Sequence, residues 1–221
     1  DKFNTFIKSE ECSITKAGFL FTQKKKGIIP EFLDYYYNER VKIKKDLFET
    51  KQQLAKLKSS DKEYTSLKYE VERLNTKQMV IKILINSAYG YMGNKQAPIG
   101  DDDIASSVTL TGQAIIKQAG KLLQEYLTNK FDITNEKTLE ESWVYSDTDS
   151  CYFSLNCIED RVPIKKGNDI SPEFYNVVQD VEDYLNNNIT TWSKKTLLTK
   201  DSRFVFKREC IADVGLFLQK K

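Results

Sequence analysis

Apolar residues recur along this chain at helical spacing over long stretches and alternate over a few short ones. From Glu31 the repeat is helical. Leu33, Leu47 and Leu54 share one register, and Tyr36, Ile43 and Leu57 share its partner register. The pattern predicts a heptad seam of about eight turns that ends at Ser59-Ser60. Ser60 and Glu63 then stand at capping-box spacing. After them Leu67, Val71, Leu74, Gln78, Ile81, Ile85, Ala88 and Met92 follow in alternating steps of four and three. Two long helices joined by a tight polar turn run antiparallel. Residues 31–92 therefore read as a projecting helical hairpin.

The flanking stretches predict shorter elements. The first thirty or so residues read as short strands and turns, with Ala17 to Thr22 as a strand, a polar turn at Lys24-Lys25-Lys26-Gly27, and Pro30 at a helix start, where its missing N–H costs nothing. Asp101-Asp102-Asp103 precede a third helix at about 103–130, and N-capping accounts for these acids better than metal binding does. Ser142 to Asp147 and Ser150 to Leu155 read as two strands with only Thr148-Asp149 between them, a tight hairpin. Ser171-Pro172 opens a helix of about 171–194. Arg203 to Asp213 reads as a closing strand, with Phe204, Phe206 and Arg208 on one face. The fold class is α+β: a long antiparallel helical hairpin projects from an antiparallel sheet with packed helices. The expected division is 1–30 leading in, 31–92 for the hairpin, and 93–221 for an incomplete α+β body.

Composition narrows the chemistry. The chain has 221 residues, of which 40% are apolar and 30% charged, so it folds rather than staying disordered. The 34 Lys and Arg nearly balance 32 Asp and Glu. The balance is local, however: residues 24–95 hold 16 basic and 9 acidic residues, an excess of 7, which leaves about −5 for the remainder. A solvated Lys-rich surface is the plain reading of that excess; a polyanion-binding face is the other. There is no histidine, which excludes Ser-His-Asp triads, Cys-His pairs and HExxH metal sites. Cys12, Cys151, Cys157 and Cys210 show no CxxC spacing, and a reducing, cytoplasmic location is the simple reading. No apolar run approaches the ~20 residues of a membrane span. The chain opens on Asp1 without a methionine, and it reads as cut from something longer or processed.

Three constellations carry candidate chemistry. The first is Tyr145-Ser146-Asp147-Thr148-Asp149-Ser150. Strand alternation sends Asp147 and Asp149 to one side of the pleat, and their hard oxygens suit Mg²⁺. Alone, a DxD also fits sugar transferases, phosphatases and ordinary turns. The second is Lys82, Asn86, Tyr89 and Gly90, one stripe on the second long helix. The lysine can pair with a triphosphate, the amide with phosphate or sugar, and the ring with a base pair, which the glycine lets approach the backbone. A polar helix face ending in glycine explains the same residues without chemistry. The third is Asn38-Glu39-Arg40 with Lys44 one turn on. Across an antiparallel hairpin, Arg40 can approach Lys82, so that three cations make an anion site at one level; a solvated basic face is the plainer reading.

Taken together, these stretches resemble a known family. Residues 82–90, Lys-Ile-Leu-Ile-Asn-Ser-Ala-Tyr-Gly, resemble motif B of the family B DNA polymerases, and residues 144–150, Val-Tyr-Ser-Asp-Thr-Asp-Ser, resemble their motif C. Asn38-Glu39-Arg40 with Lys44 looks like the family's other finger helix. Thr109 with Gly112-Gln113 is similar to the palm helix after motif B, and Lys220-Lys221 to the start of the Lys-Lys-Arg-Tyr primer motif. The short helices and the Gly27-Ile28-Ile29-Pro30 approach are most similar to the replicative polymerases of large tailed phages.

The resemblance implies a hairpin of fingers on a palm and nucleotidyl transfer from a dNTP to a primer 3′-hydroxyl by two Mg²⁺ ions. Asp147 and Asp149 would be catalytic metal ligands, Asp149 the more direct. Arg40, Lys44, Lys82 and Asn86 would bind the dNTP, Tyr89 and Gly90 would check the nascent base pair, and Lys220 and Lys221 would touch the primer–template. Closing of the fingers would bring the basic face to the acidic hairpin. No motif A precedes residue 31, and neither the exonuclease nor the thumb of the family is expected here. The two ions thus need a further Asp from a partner polypeptide that also brings the exonuclease, and the chain alone is expected to be inactive. A non-catalytic basic nucleic-acid-binding module is the alternative. A DxD sugar transferase is a third reading, against which the two long heptad helices argue.

Overall fold

The structure is a computed structural model and describes residues 2–147, 150–167, 169–212, 214–215 and 217. The backbone forms two compact units, one of residues 24–105 and the other of residues 1–23 with 106–221. The architecture is α+β, with long helices and small antiparallel sheets.

The first unit is built on two helices, α2 (Ile28–Ala55) and α3 (Tyr64–Met92), which pack as an antiparallel pair. Ile43 and Leu47 of α2 and Leu74 and Ile81 of α3 are the buried residues of the seam between them, with Tyr36, Val71 and Ile85 packed beside them. These all belong to the predicted seam. Leu33 and Leu54, in the same register, remain half-buried. The helix also ends sooner than its pattern does: α2 stops at Ala55, so Leu57 falls beyond it. It begins at Ile28 after Gly27, and Pro30 lies within the first turn, where no N–H is needed.

The expected Ser60–Glu63 capping box does not form. Glu63 is the residue before α3, its backbone already helical and its side chain making no cap. Asp61 governs this turn instead. Its Oδ2 accepts the Lys58 amide at 2.7 Å, while the Lys58 carbonyl accepts the Asp61 amide at 2.9 Å. That local closure stabilises a further turn of chain before the helix starts.

Helix α4 (Asp102–Phe131) begins where the acid run predicts. Asp101 Oδ1 accepts the amides of Asp103 at 2.7 Å and Ile104 at 3.2 Å, so the run does cap a helix. Asp102 further pairs with Lys95 at 2.8 Å.

The second unit holds the larger core. Leu123 and Leu127 of α4 are fully buried in one cluster with Val181 and Ile189 of α6 (Pro172–Thr196) and with Ile158 from a 3₁₀ turn, Asn156–Ile158. The start of α6 follows its sequence signal. Ser171 Oγ accepts the Phe174 amide at 3.0 Å and donates to the Pro163 carbonyl, and Pro172 occupies the first helical turn. Around this core lie α5 (Glu136–Glu141) and three two-stranded antiparallel sheets. These are β1 (Cys12–Ile14) with β2 (Leu20–Thr22), β3 (Trp143–Asp147) with β4 (Ser150–Phe153), and β5 (Lys165–Lys166) with β6 (Asp169–Ile170).

Two expectations are corrected in this unit. The chain starts not with strands alone but with a helix, α1 (Lys2–Ser9), which buries Ile7 completely. The predicted strand at Ala17–Thr22 shrinks to β2, because Gly18 at φ +90° turns the chain. The stretch 203–212 is also no strand, although its exposure alternates as a strand's does. Its ladder partner is a side chain: Asn186 Oδ1 accepts the Phe206 amide at 2.7 Å, and Asn186 Nδ2 donates to the Phe206 carbonyl at 2.9 Å. One amide from α6 thus satisfies the backbone groups that a neighbouring strand would have paired.

Candidate functional site

In the helical unit, burial of Ile81, Ile85 and Met92 fixes which side of α3 faces away from the seam. Lys82, Asn86, Tyr89 and Gly90 lie on that outer side and are exposed, Tyr89 at 44%. The predicted stripe is therefore a real surface. A Cβ added at Gly90 would meet nothing within 4 Å, so the backbone there is open to a flat partner.

Arg40 and Lys44 stand one turn apart on α2, with Lys44 exposed and Arg40 half-buried. Arg40 Nη2 donates to Gln78 Oε1 of α3 at 3.4 Å, and Gln78 Nε2 in turn donates to Asn75 Oδ1 at 3.2 Å. Gln78 lies one turn before Lys82. The cations therefore occupy successive turns, about 6 Å apart along the axis, rather than a single level. The sequence placed Gln78 only in the hydrophobic seam; its spacing of four from Lys82 was the signal for this second role.

Beyond its bond to Gln78, Arg40 has no carboxylate partner among the described residues. Its Nε is buried and has no hydrogen-bond partner. The adjacent carboxylate, Glu39, is held elsewhere: Lys42 Nζ donates to Glu39 Oε1 at 2.8 Å. That hydrogen bond, with the charges of Lys42 and Lys77, keeps the Glu39 carboxyl below its ordinary pKa. Among the described residues, Arg40, Lys44 and Lys82 form no ion pair. A guanidinium with a buried unspent donor beside two exposed ammonium groups is a set suited to phosphate oxygens.

In the other unit, β3 and β4 pair in the register Tyr145 with Tyr152, Ser146 with Cys151, and Asp147 with Ser150. Thr148 and Asp149, between the two strands in sequence, lie outside the described residues. Asp147 ends β3 half-buried, on the same face as Tyr145. Trp143 anchors the base of this hairpin. Its ring would come within 3.2 Å of a Cβ at Gly120, so α4 needs glycine there for the hairpin to pack. Burial raises the pKa of the Cys151 thiol beyond the ordinary thiol range, which keeps it neutral.

Asp147 offers one carboxylate. Among the described residues no group of three or more His, Cys, Asp or Glu converges on a metal position. Lys220 and Lys221 lie outside the described residues, as does Asp149.

Comparison with known proteins gives the family. The profile of DNA polymerase family B matches residues 4–182, which takes in most of both units. The chain belongs to DNA polymerase family B. Among its relatives, the DNA polymerase delta catalytic subunit of Candida albicans is 30% identical over 165 residues, 73% of this chain and 14% of that protein. The DNA-directed DNA polymerase of Enterobacteria phage T4 is 28% identical over 207 residues, 76% of this chain and 22% of that protein. The DNA polymerase of Paramecium bursaria Chlorella virus NY2A is 28% identical over 141 residues, 64% of this chain and 13% of that protein. This family B chain thus spans less than a quarter of the length of these relatives. No helix among its described residues is long and apolar enough to cross a membrane.

Proposed function

We propose that this chain is the fingers and palm segment of a DNA-directed DNA polymerase, and that it takes part in nucleotidyl transfer from a dNTP to a primer 3′-hydroxyl. One observation carries the reading: the family B match covers residues 4–182, which include both the helical hairpin with its cations and the β-hairpin strand ending in Asp147. In this reading 31–92 are fingers, 93–221 are palm, and 1–30 lead from palm to fingers. The polymerase is of the replicative type of large tailed phages, acting in the host cytoplasm. The phage T4 relative supports this, aligning over 207 residues.

The roles follow from the chemistry of each group. Arg40, Lys44 and Lys82 bind the triphosphate, and Asn86 hydrogen-bonds to it or to the sugar. Tyr89 lies against the nascent base pair, with Gly90 leaving room for it. Asp147 and Asp149 would hold Mg²⁺, which would supply Lewis-acid activation of the primer hydroxyl and charge stabilisation for the departing pyrophosphate. Two carboxylates do not fill such a site. A third, of the motif A kind, is needed from outside these 221 residues, which alone do not polymerise. Lys220 and Lys221 touch the primer–template.

The test uses a complex completed with a polypeptide that supplies motif A. Asp149→Asn is expected to abolish extension while leaving primer–template binding intact. Arg40→Ala and Lys82→Ala are expected to weaken apparent dNTP affinity, each by about 2 kcal/mol, as a lost charge-assisted contact would. An Asp149→Asn rate within twofold of wild type contradicts the metal assignment. Duplex binding with no extension in any complex favours the non-catalytic nucleic-acid-binding module.

A further inference from the structure

The β3–β4 hairpin is a two-stranded sheet with no further strand paired to it among the described residues. Such a hairpin is marginal unless something covers it. Its base is covered by the Trp143 ring against α4. The regular ladder is interrupted just beyond, by the register shift between Trp143 and Tyr145. From there to the tip, the Tyr145–Tyr152 pair is the cross-strand aromatic contact before Asp147. The register places Tyr145, Tyr152, Asp147 and Ser150 on one face, because cross-strand partners share a face and faces alternate along the strand.

A residue from far along the chain sits on that face. The Phe217 ring lies 5.1 Å from Tyr145 at 30° and 5.1 Å from Tyr152 at 70°, and the two tyrosines are 6.0 Å apart. These are the offset and edge-on geometries that aromatic rings favour. Gly215 lies close to the same ring: a Cβ there would stand 3.0 Å from Phe217 Cε2 and 3.2 Å from Cζ.

We propose that Phe217 is a positioning residue, whose ring on Tyr145 and Tyr152 fixes the Asp147 end of the β3–β4 hairpin for its work at the primer terminus. The functional half of this proposal rests on the polymerase reading above; the contact itself does not. Phe217 touches neither metal nor substrate in this role, and it acts through the tyrosine pair.

The test compares wild type, Phe217→Ala, Phe217→Trp and Gly215→Ala. Two quantities are measured on the 221-residue chain: amide hydrogen exchange over residues 143–153, and the preference for a recessed-3′-end duplex over a blunt one. Phe217→Ala is expected to speed exchange in the hairpin at least tenfold while leaving α4 and α6 unchanged, and to reduce the recessed-end preference about fivefold. Phe217→Trp should keep both within twofold, since a larger ring can still cover the pair. Gly215→Ala should fall between, by pushing the ring. Hairpin exchange within twofold of wild type in Phe217→Ala overturns the proposal. So does faster exchange with an unchanged duplex preference, which would leave Phe217 merely structural. A wild-type chain that does not distinguish the two duplexes contradicts the polymerase reading and removes the functional half with it, whereas faster exchange would still uphold the contact.

Discussion

The two compact units bury their apolar residues in different ways. The unit of residues 24–105 has a single seam of four buried residues between α2 and α3, and large side chains such as Phe48, Tyr69 and Ile83 remain more than 60% exposed. The other unit closes twelve buried residues around α4 and α6. A two-helix seam cannot surround its contents, so it leaves most of each helix to solvent or to a ligand. The difference separates a scaffold from an arm: the deep core holds a short hairpin and its carboxylate in place, while the thin seam presents cations along a surface. Local opening of the thin unit is expected at lower free energy than opening of the deep one.

The comparison breaks most severely in the deep core. Leu123 is fully buried, and Leu123→Ala should cost about 3–5 kcal/mol through lost burial and the cavity left behind. Ile81 is 8% exposed in the narrow seam, where neighbours can relax toward solvent; Ile81→Ala should cost about 2 kcal/mol. Urea unfolding monitored by tryptophan fluorescence reads the first. Both tryptophans, Trp143 and Trp192, belong to the deep unit, so hydrogen exchange in α2 and α3 is the better measure of the second. Equal costs confined to the same residues would dissolve the distinction between the units.

A smaller effect is expected at the start of α6. Ser171→Ala removes the acceptor for the Phe174 amide in a buried position, at a cost of about 1–2 kcal/mol in the same unfolding measurement. Ser171→Asp should not recover it, because a carboxylate can accept the Phe174 amide but is buried there and cannot donate to the Pro163 carbonyl.

The smallest effect concerns Glu39 on the arm. Lys42 holds its carboxyl below the ordinary value by hydrogen bond and by charge, so the folded pKa lies under the unfolded one. The contribution to stability is therefore present above the unfolded pKa and lost as pH falls through the folded pKa. In a solvent-screened pair at the helix surface, it should be visible as a lowered NMR titration midpoint rather than as a change in unfolding. Lys42→Ala should return the midpoint toward that of an ordinary glutamate, leaving a smaller residue of lowering from Lys77.

Much of this architecture was legible in the sequence because its signals were redundant. The α2–α3 pair carried both periodicity and a connecting polar turn. Helix α4 carried periodicity and an acidic cap that Asp101 in fact forms. Helix α6 carried Ser171-Pro172 at its start. Single signals misled. Ser60 and Glu63 had the right spacing, but Asp61 closed the turn first. Phe204 and Phe206 alternated correctly, yet the partner was the Asn186 side chain, which no strand pattern can announce. Helix α1 is short, although Phe3, Phe6 and Ile7 do stand at helical spacing.

The candidate site divides in the same way. The Lys82–Asn86–Tyr89 stripe followed from local spacing, and the structure leaves it exposed. The level at which Arg40 meets α3 depends on how two helices register, and local spacing cannot fix that. The meeting of Phe217 with Tyr145 and Tyr152 joins residues more than sixty positions apart, beyond the reach of any periodicity.

The central claim is that this chain is a polymerase segment holding part of a carboxylate site. Primer extension with Mg²⁺ and all four dNTPs tests it most directly, with the 221-residue chain assayed alone and together with a polypeptide supplying motif A. The account predicts extension only in the mixture, abolished by Asp149→Asn. Robust extension by the chain alone would contradict it.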